Sequence, residues 1–219
     1  MSNYLFDEFN EVSSKEWKQK IQVDLKGADY NETLIWKNLE GIDVKPFYHQ
    51  DDFKVAFKEI PGFPKDWNVA QSIFIDDEKI ANHLILDSIK RGAEAIVLKA
   101  NNEFNIEQVF NQFLGKNTTI YFDLKFISES FISNLKHFFS SKKASVFYNI
   151  DIIGNLAKSG NWFSNLKEDH STLRKIIKQN PQENIVSVDG TLFQNSGATM
   201  VQQLAYCLSQ ANEYLNHFK

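Results

Sequence analysis

The sequence has little cysteine, proline or glycine, and each shortage narrows what the chain can be. Its 219 residues include one cysteine, four prolines and nine glycines. A single cysteine, Cys207, cannot form an internal disulfide or a cysteine metal cluster, which is typical of a reducing compartment. So little proline and glycine excludes collagen-like and low-complexity chains.

A positive charge excess and long apolar runs are also missing. The chain has 24 Lys and Arg against 28 Asp and Glu, so its net charge is −4, which argues against a nucleic-acid partner. No apolar run reaches the ~18 residues of a membrane span. The N-terminus, residues 1–9, lacks the basic start and apolar core of a signal peptide. We therefore expect a cytoplasmic globular protein of one or two domains, with neither nucleic acid nor membrane as a partner.

Aromatic residues, by contrast, are abundant. The chain has 19 phenylalanines, 7 tyrosines and 4 tryptophans. Aromatic side chains bury large areas and dominate packing. This pattern favours a phenylalanine-rich core over a surface for stacking ligands.

Residues 1–66 have no alternation of strands and helices. Ser13 and Glu16 have the spacing of a capping box, which predicts a helix through Trp17 to Leu25, and Gly27 suits a left-handed cap after it. Extended segments are predicted at 33–36 and 41–48. We interpret 1–66 as an N-terminal arm with a small extended, antiparallel subdomain.

Residues 67–219 alternate between apolar strands and amphipathic helices. Strands are predicted at 69–75, 95–98, 119–124, 144–150 and 185–188. Helices are predicted at 77–90, 106–113, 128–138 and 165–178, and a last helix carries an apolar stripe of Val201, Leu204, Ala205, Leu208, Ala211 and Leu215.

Strands that are apolar on both faces and alternate with helices indicate an α/β fold with a parallel sheet covered by helices. Five such units fit either a doubly wound open sheet or part of a (β/α)8 barrel. A complete barrel needs ~250 residues, so a barrel over 67–219 would lack about three units.

Three carboxylates follow predicted strands, where parallel-sheet enzymes place function. Asp123 and Asp151 could act as acid or base, although capping a helix is the favoured interpretation. Asp189, with Gly190 and Thr191 after it, could bind a ligand or simply begin a helix. No phosphate-binding glycine pattern and no nucleophile elbow is present.

Metal and nucleophile chemistry have even less support. The five histidines are scattered without ligand spacing, and His83, His137 and His170 are expected on helix surfaces. Cys207 is expected to be buried and inert. Reasoning from the residues alone therefore defines no catalytic set.

Four segments together resemble one family. They lie in the family's order along nearly the whole chain, and the second and fourth are the most specific. The segments are Leu25-Lys26-Gly27-Ala28-Asp29-Tyr30 with Leu34-Ile35-Trp36, then Glu40-Gly41-Ile42-Asp43-Val44-Lys45-Pro46-Phe47-Tyr48, then Trp67-Asn68-Val69-Ala70-Gln71, and lastly Asn195-Ser196-Gly197-Ala198 with Val201-Gln202-Gln203-Leu204-Ala205-Tyr206 and Glu213-Tyr214-Leu215. They resemble methylmalonyl-CoA mutase chains, the small subunit above all.

The resemblance implies a TIM (β/α)8 barrel of the cobalamin-dependent mutase type that encloses acyl-CoA, here apparently truncated after about five βα units and preceded by an arm. It implies an isomerase of propionate metabolism that interconverts methylmalonyl-CoA and succinyl-CoA by adenosylcobalamin chemistry. The cofactor carries the radical step and the protein positions and shields it.

The family's catalytic residues do not carry over. Where the catalytic chain has tyrosine, two arginines and histidine, this chain has Gly62, Lys65, Ala70 and Leu192, and its sequence has no Asp-x-His-x-x-Gly motif for the lower cobalt ligand. Leucine cannot donate a hydrogen bond to a thioester carbonyl. We expect a non-catalytic small subunit that binds no cofactor and no metal. Gln71 and Gln194 are the vestigial candidates for substrate contact.

The implied partner is the mutase large subunit, which would bind adenosylcobalamin in a heterodimer. The arm, residues 1–27, carries Phe6, Phe9, Trp17 and Ile21 and is expected to wrap that partner, although it could fold back on its own barrel. Open edges of an incomplete barrel predict that the chain also self-associates. The alternative is a stand-alone five-stranded α/β binding or assembly module without catalysis.

Overall fold

A computed structural model describes residues 6, 8–53, 62 and 66–218. The chain divides into two compact units, Met1–Pro64 and Lys65–Lys219. Among the described residues, no helix is both long and apolar enough to cross a bilayer.

The first unit begins with helix α1, Ser14–Asp24. The predicted capping box is confirmed, because Ser13 Oγ accepts the Glu16 N–H and the Glu16 carboxylate accepts the Ser13 N–H at 2.8 Å. These hydrogen bonds hold the pKa of Glu16 below its usual value. Gly27 has the predicted left-handed conformation, with φ of 96°. No residue of α1 is buried.

The predicted strand at 33–36 is wrong for most of its length. Helix α2, Tyr30–Leu34, lies there because Asp29 accepts the first free N–H groups of that turn and because Tyr30 is buried. Strand β1, Trp36–Lys37, pairs antiparallel with β2, Asp43–Val44, which confirms the small antiparallel piece. A short 3₁₀ helix follows at Gln50–Asp52.

The second unit is one sheet of five parallel strands with helices between them, so the predicted α/β class with a parallel sheet is confirmed. The strands are β3 Ala70–Phe74, β4 Ala95–Ala100, β5 Thr119–Leu124, β6 Ser145–Ile150 and β7 Asn184–Val186, in that spatial order. The helices are α3 Glu78–Lys90, α4 Ile106–Val109, α5 Glu129–Phe139, α6 Ile152–Ser159, α7 Leu166–Gln179, α8 Gly190–Asn195 and α9 Met200–His217.

The two faces of this sheet differ. On one face the strand residues are buried in the same cluster as the helix side chains, as in the cross-strand row Ile73, Leu98 and Phe122. On the other face, the row of Ser72, Val97, Tyr121 and Phe147 is half-buried or exposed. The expectation of strands buried on both faces is therefore wrong, most clearly for β3, where four of five residues are exposed.

The core is built from phenylalanine, as the composition indicates. Phe110 is buried, and its ring centroid lies 4.9 Å from that of Phe139 and 6.5 Å from that of Phe122, both edge to face. Edge-to-face packing matches the positive ring edge to the negative ring face. Leu135 of α5 is fully buried within the same cluster.

The sequence predicts a long connection after β6, whereas the structure has helix α6 there. Gly160 ends α6 in the left-handed conformation, with φ of 76°. Asp169, on α7 and almost fully buried, then accepts the N–H groups of Phe163 and Ser164 at 2.8 and 3.0 Å. The turn between α6 and α7 is thus held by one carboxylate.

Helix α9 packs through a different face than its apolar stripe suggests. The stripe residues Val201, Leu204, Leu208 and Leu215 are each more than 60% exposed. Of the stripe, only Ala211 is half-buried, and the other buried or half-buried positions of the helix are Gln203, Cys207, Gln210 and Tyr214. The prediction of a fully buried Cys207 is corrected accordingly, since it is only partly buried and its Sγ faces Gly190 of α8.

We expect Leu135→Ala to lower the free energy of unfolding by roughly 2–5 kcal/mol, because it leaves a cavity among close-packed rings. The matched control is Leu114→Ala, since Leu114 is 79% exposed and its truncation should cost less than about 0.5 kcal/mol. Urea denaturation followed by circular dichroism measures both. Equal losses for the two variants would contradict the assigned core.

Candidate functional site

A cavity of about 390 Å³ lies at the carboxyl ends of β5, β6 and β7. This is the edge at which parallel α/β proteins bind ligands. Its polar lining includes Asp123, Lys125, Asn149, Asp151, Lys158 and Asp189. The structure therefore brings together the three carboxylates that the sequence placed after successive strands.

Asp151, which lines this cavity, joins helix α6 to helix α9. It is the N-cap of α6, and its Oδ1 accepts the Gly154 N–H at 2.7 Å, the Gln210 Nε2–H at 2.6 Å and the Tyr214 O–H at 2.6 Å. The Tyr214 oxygen in turn accepts the Ile153 N–H at 2.9 Å. This carboxylate is therefore committed to structure, as the favoured interpretation predicted.

The surroundings of Asp151 confirm that role. Gly154 lies so close that a Cβ there would sit 2.1 Å from Asp151 Oδ2, so any other residue at position 154 would displace the Asp151 carboxylate. Burial, followed by the hydrogen bond to Asp151, raises the pKa of Tyr214 well above its usual value. The hydroxyl thus stays protonated and donates to the carboxylate.

Asp189 also serves as a cap. It is the N-cap of α8, and its Oδ1 accepts the Thr191 N–H at 3.0 Å and the Thr191 O–H at 2.6 Å. The Asp189–Thr191 segment therefore begins a helix, the plainer of the two sequence interpretations. One turn into α8, Leu192 lines the cavity wall.

Asp123 has a different environment, because it pairs with a lysine in contact with solvent. Its Oδ1 lies 2.6 Å from Lys125 Nζ, and both side chains are about 40% exposed. A pair this exposed adds ~1 kcal/mol or less to stability. Asp123 and Lys125 therefore supply the cavity with charge rather than with rigidity.

Asn149 is among the cavity residues that the sequence did not single out. Asn149 has a left-handed backbone, with φ of 49°, where the pairing of β6 with β7 is irregular between Phe147 and Ile150. Such bulges re-aim side chains beside ligand sites. An asparagine near a strand end is the one weak signal of this position in the sequence, because asparagine tolerates the left-handed region.

The two vestigial candidates lie apart from each other and from the cavity lining. Gln71 is exposed on β3, in register with Ile96 of the helix-covered face, and its Nε2 donates to the Ser72 carbonyl. Gln194 is exposed on α8, beyond the opposite edge strand. Whether either contacts a ligand stays a prediction.

The other residues compared with the catalytic chain fall in several places. Ala70 begins β3 and is exposed, and Gly62 belongs to the first unit with φ of 77°. Lys65 lies outside the described residues.

His83 and His137 are exposed on helices, as predicted, and His170 is half-buried. Within the described ranges, no three His, Cys, Asp or Glu side chains form a metal-binding group.

The fold and cavity define the class, an α/β protein with a parallel sheet and a ligand-sized cavity at the carboxyl ends of its strands. Comparison with known families gives the particular relationship. Residues 129–219 match the family described as methylmalonyl-CoA mutase. The resemblance inferred from the sequence motifs is thereby confirmed.

Curated relatives point the same way. The chain is 32% identical to the methylmalonyl-CoA mutase small subunit of Porphyromonas gingivalis over 42% of this chain and 17% of that protein. It is 21% identical to the small subunit of Propionibacterium freudenreichii subsp. shermanii over 96% of this chain and 38% of that protein. It is 24% identical to a methylmalonyl-CoA mutase of Rhizobium meliloti over 94% of this chain and 36% of that protein. The chain thus spans well under half the length of each relative.

We expect Tyr214→Phe to destabilise the chain by about 1–3 kcal/mol, because it leaves the Ile153 N–H and one lone pair of Asp151 without a partner. Tyr206→Phe is the matched control on the same helix, since Tyr206 is 53% exposed. Thermal unfolding of both variants measures the difference. A Tyr214→Phe variant as stable as Tyr206→Phe would contradict the structural role of Asp151.

Proposed function

We propose that this chain is a non-catalytic small subunit of a methylmalonyl-CoA mutase, pairing with a large subunit that carries adenosylcobalamin and isomerises methylmalonyl-CoA and succinyl-CoA. Two relatives that it matches are named small subunits. The observation that carries the proposal is Leu192 in the cavity wall. A family catalytic chain has a hydrogen-bonding histidine at that position, and leucine offers no such group.

The remaining residues of the cavity support the same conclusion. Asp151 and Asp189 are engaged as helix caps, which leaves the Asp123 and Lys125 pair and the exposed Lys158 as the other charged groups of the lining. None of these supplies the thioester contact that the resemblance implies for a catalytic chain. The proposed role is therefore assembly and support rather than chemistry.

Cobalamin would be held by the partner. In the family, the lower cobalt ligand is a histidine in an Asp-x-His-x-x-Gly segment, and none of the five histidines here has that context. His83 and His137 lie exposed on separate helices, which does not fit a residue that would hold the cobalt of a cobalamin.

We also infer that the sheet is of the barrel type. Parallel sheets almost always have both faces covered, yet here the row of Tyr121 and Phe147 stays half-buried on the face opposite the helices. In a barrel that face turns inward and is covered by the other strands. A doubly wound sheet would instead place helices over it.

The experiment is reconstitution with a mutase large subunit from the same source, supplied with adenosylcobalamin. We expect a one-to-one complex whose mutase activity requires both chains, while this chain alone shows no turnover. Leu192→Ala should leave kcat of the complex within about twofold, because the side chain contacts no reacting atom. A loss of tenfold or more would assign catalysis to this chain. Failure to form a complex would favour the stand-alone binding module.

The arm gives a second test of pairing. Phe9, Trp17 and Val23 are each half exposed or more within the first unit, which is apolar surface suited to a partner. Deleting residues 1–27 should weaken affinity for the large subunit by at least about tenfold, and Val23→Asp should weaken it in the same direction. Lys15→Ala, on the same helix, is the control, and titration calorimetry is the measurement. Unchanged affinity after the deletion would contradict partner wrapping.

A further inference from the structure

Helix α1 has one apolar row, and that row is largely turned away from solvent. Trp17, Ile21 and Leu25 follow one another at every fourth position, so they share one face of the helix. Ile21 and Leu25 are half-buried, and Trp17 is 50% exposed. Val23, the remaining apolar residue of α1, is 71% exposed and lies on the opposite side of the helix.

Two contacts hold this face of α1 against the rest of the first unit. The Trp17 ring meets the Phe47 ring edge to face, with 6.1 Å between their centroids. At the start of the helix, Asp51 Oδ2 accepts the Ser14 N–H at 3.1 Å. We call these two contacts the latch. The face of α1 that the sequence assigns to a partner is therefore occupied within the chain itself.

The latch involves little burial. The hydrogen bond from Ser14 to Asp51 is exposed, and Asp51 Oδ2 also lies 3.3 Å from His49 Nδ1. Beside the latch, Lys18 Nζ lies 4.8 Å from the centre of the Tyr30 ring. No residue of α1 is buried, and its capping box lies within the helix. Elements held by so few buried apolar contacts open at low cost.

Pairing with a large subunit needs the face that the latch occupies. A helix binds in a partner's groove through apolar side chains that recur every three or four positions along one face. In α1 that spacing is found in the row of Trp17, Ile21 and Leu25. While the latch is closed, the outward side of α1 offers a partner one apolar side chain, Val23.

We propose that the latch is an autoinhibitory contact, which the large subunit must open before it can bind the apolar row of α1. This inference rests on the proposed pairing and adds its regulation. The apparent affinity of the chain is then reduced by the fraction of molecules in which α1 is free. Weakening the latch should therefore tighten binding, whereas removing a true partner contact would weaken it.

The first measurement is made on the chain alone, labelled with 5-fluorotryptophan and observed by fluorine NMR. Trp17→Phe assigns the Trp17 resonance, and a peptide of residues 9–27 gives its position in the open form. Asp51→Ala removes the hydrogen bond at Ser14, three residues from Trp17, so it should move the resonance toward that of the peptide. A wild-type resonance equal to the peptide's, or no movement in Asp51→Ala, would overturn the proposal.

The second measurement is the affinity for the large subunit by titration calorimetry. Asp51→Ala and Phe47→Ala leave the arm itself unchanged, and each should tighten binding by at least about threefold, because a larger fraction of the chain is open. Asp43→Ala is the matched control, since it removes an exposed carboxylate from β2 of the same unit. Its affinity should remain that of the wild type. Circular dichroism checks that all three variants keep their fold.

The outcomes separate this inference from the proposed pairing. Complexes in which the Asp51 and Phe47 variants bind no more tightly than the wild type would overturn the autoinhibitory role and leave the pairing intact. Weaker binding by both variants would also overturn it, because the docked helix would then be a preorganised binding surface. If neither the wild type nor any variant forms a complex, the pairing fails, and the competition for α1 fails with it.

Discussion

A parallel sheet must cover its faces and pair its edges, and the second unit of this chain meets that requirement on one face only. The buried row of Ile73, Leu98 and Phe122 anchors the helices, while Tyr121 and Phe147 stack on the other face at 4.9 Å between ring centroids and remain half-buried. The described part of the second unit therefore leaves one face of its sheet without a covering layer.

The carboxylates at the strand ends show how a position typical of active sites can be used for folding. Asp151 has three hydrogen-bond donors on one oxygen, and Asp189 caps the next helix. Both carboxylates are therefore part of the framework of helices α6, α8 and α9 that surrounds the cavity.

Local rules were enough to predict much of the fold. Examples are the capping box at Ser13, the helices that begin after Ser128 and Asn165, and the strand at 119–124. Each depends on residues within a few positions of each other. Helix α6 was missed although Asp151 was expected to cap a helix, because Gly154 and Gly160 favoured a connection there. The contacts of Gln210 and Tyr214 with Asp151, about 60 residues apart in the sequence, have no local signal.

The candidate site was predictable in its place but not in its membership. Strand order alone brings Asp123, Asp151 and Asp189 to one edge, whereas Asn149 enters through an irregularity in pairing that leaves no pattern in the sequence. The packing face of α9 was misassigned for a related reason. Periodicity finds an apolar stripe, but it cannot tell that a flank with Gln210 and Cys207 is the one that docks.

The Asp151 cluster also sets an order for folding. Pairing of β3 to β6 and capping of α6 involve segments that follow one another closely along the chain, so these contacts close short loops. Docking of α9 requires a loop of about 60 residues to close onto a carboxylate that is already in place. Within the second unit we therefore expect helix α9 to dock late and to detach early, while the rest of the sheet stays folded. Hydrogen exchange of that unit would then be fastest at α9.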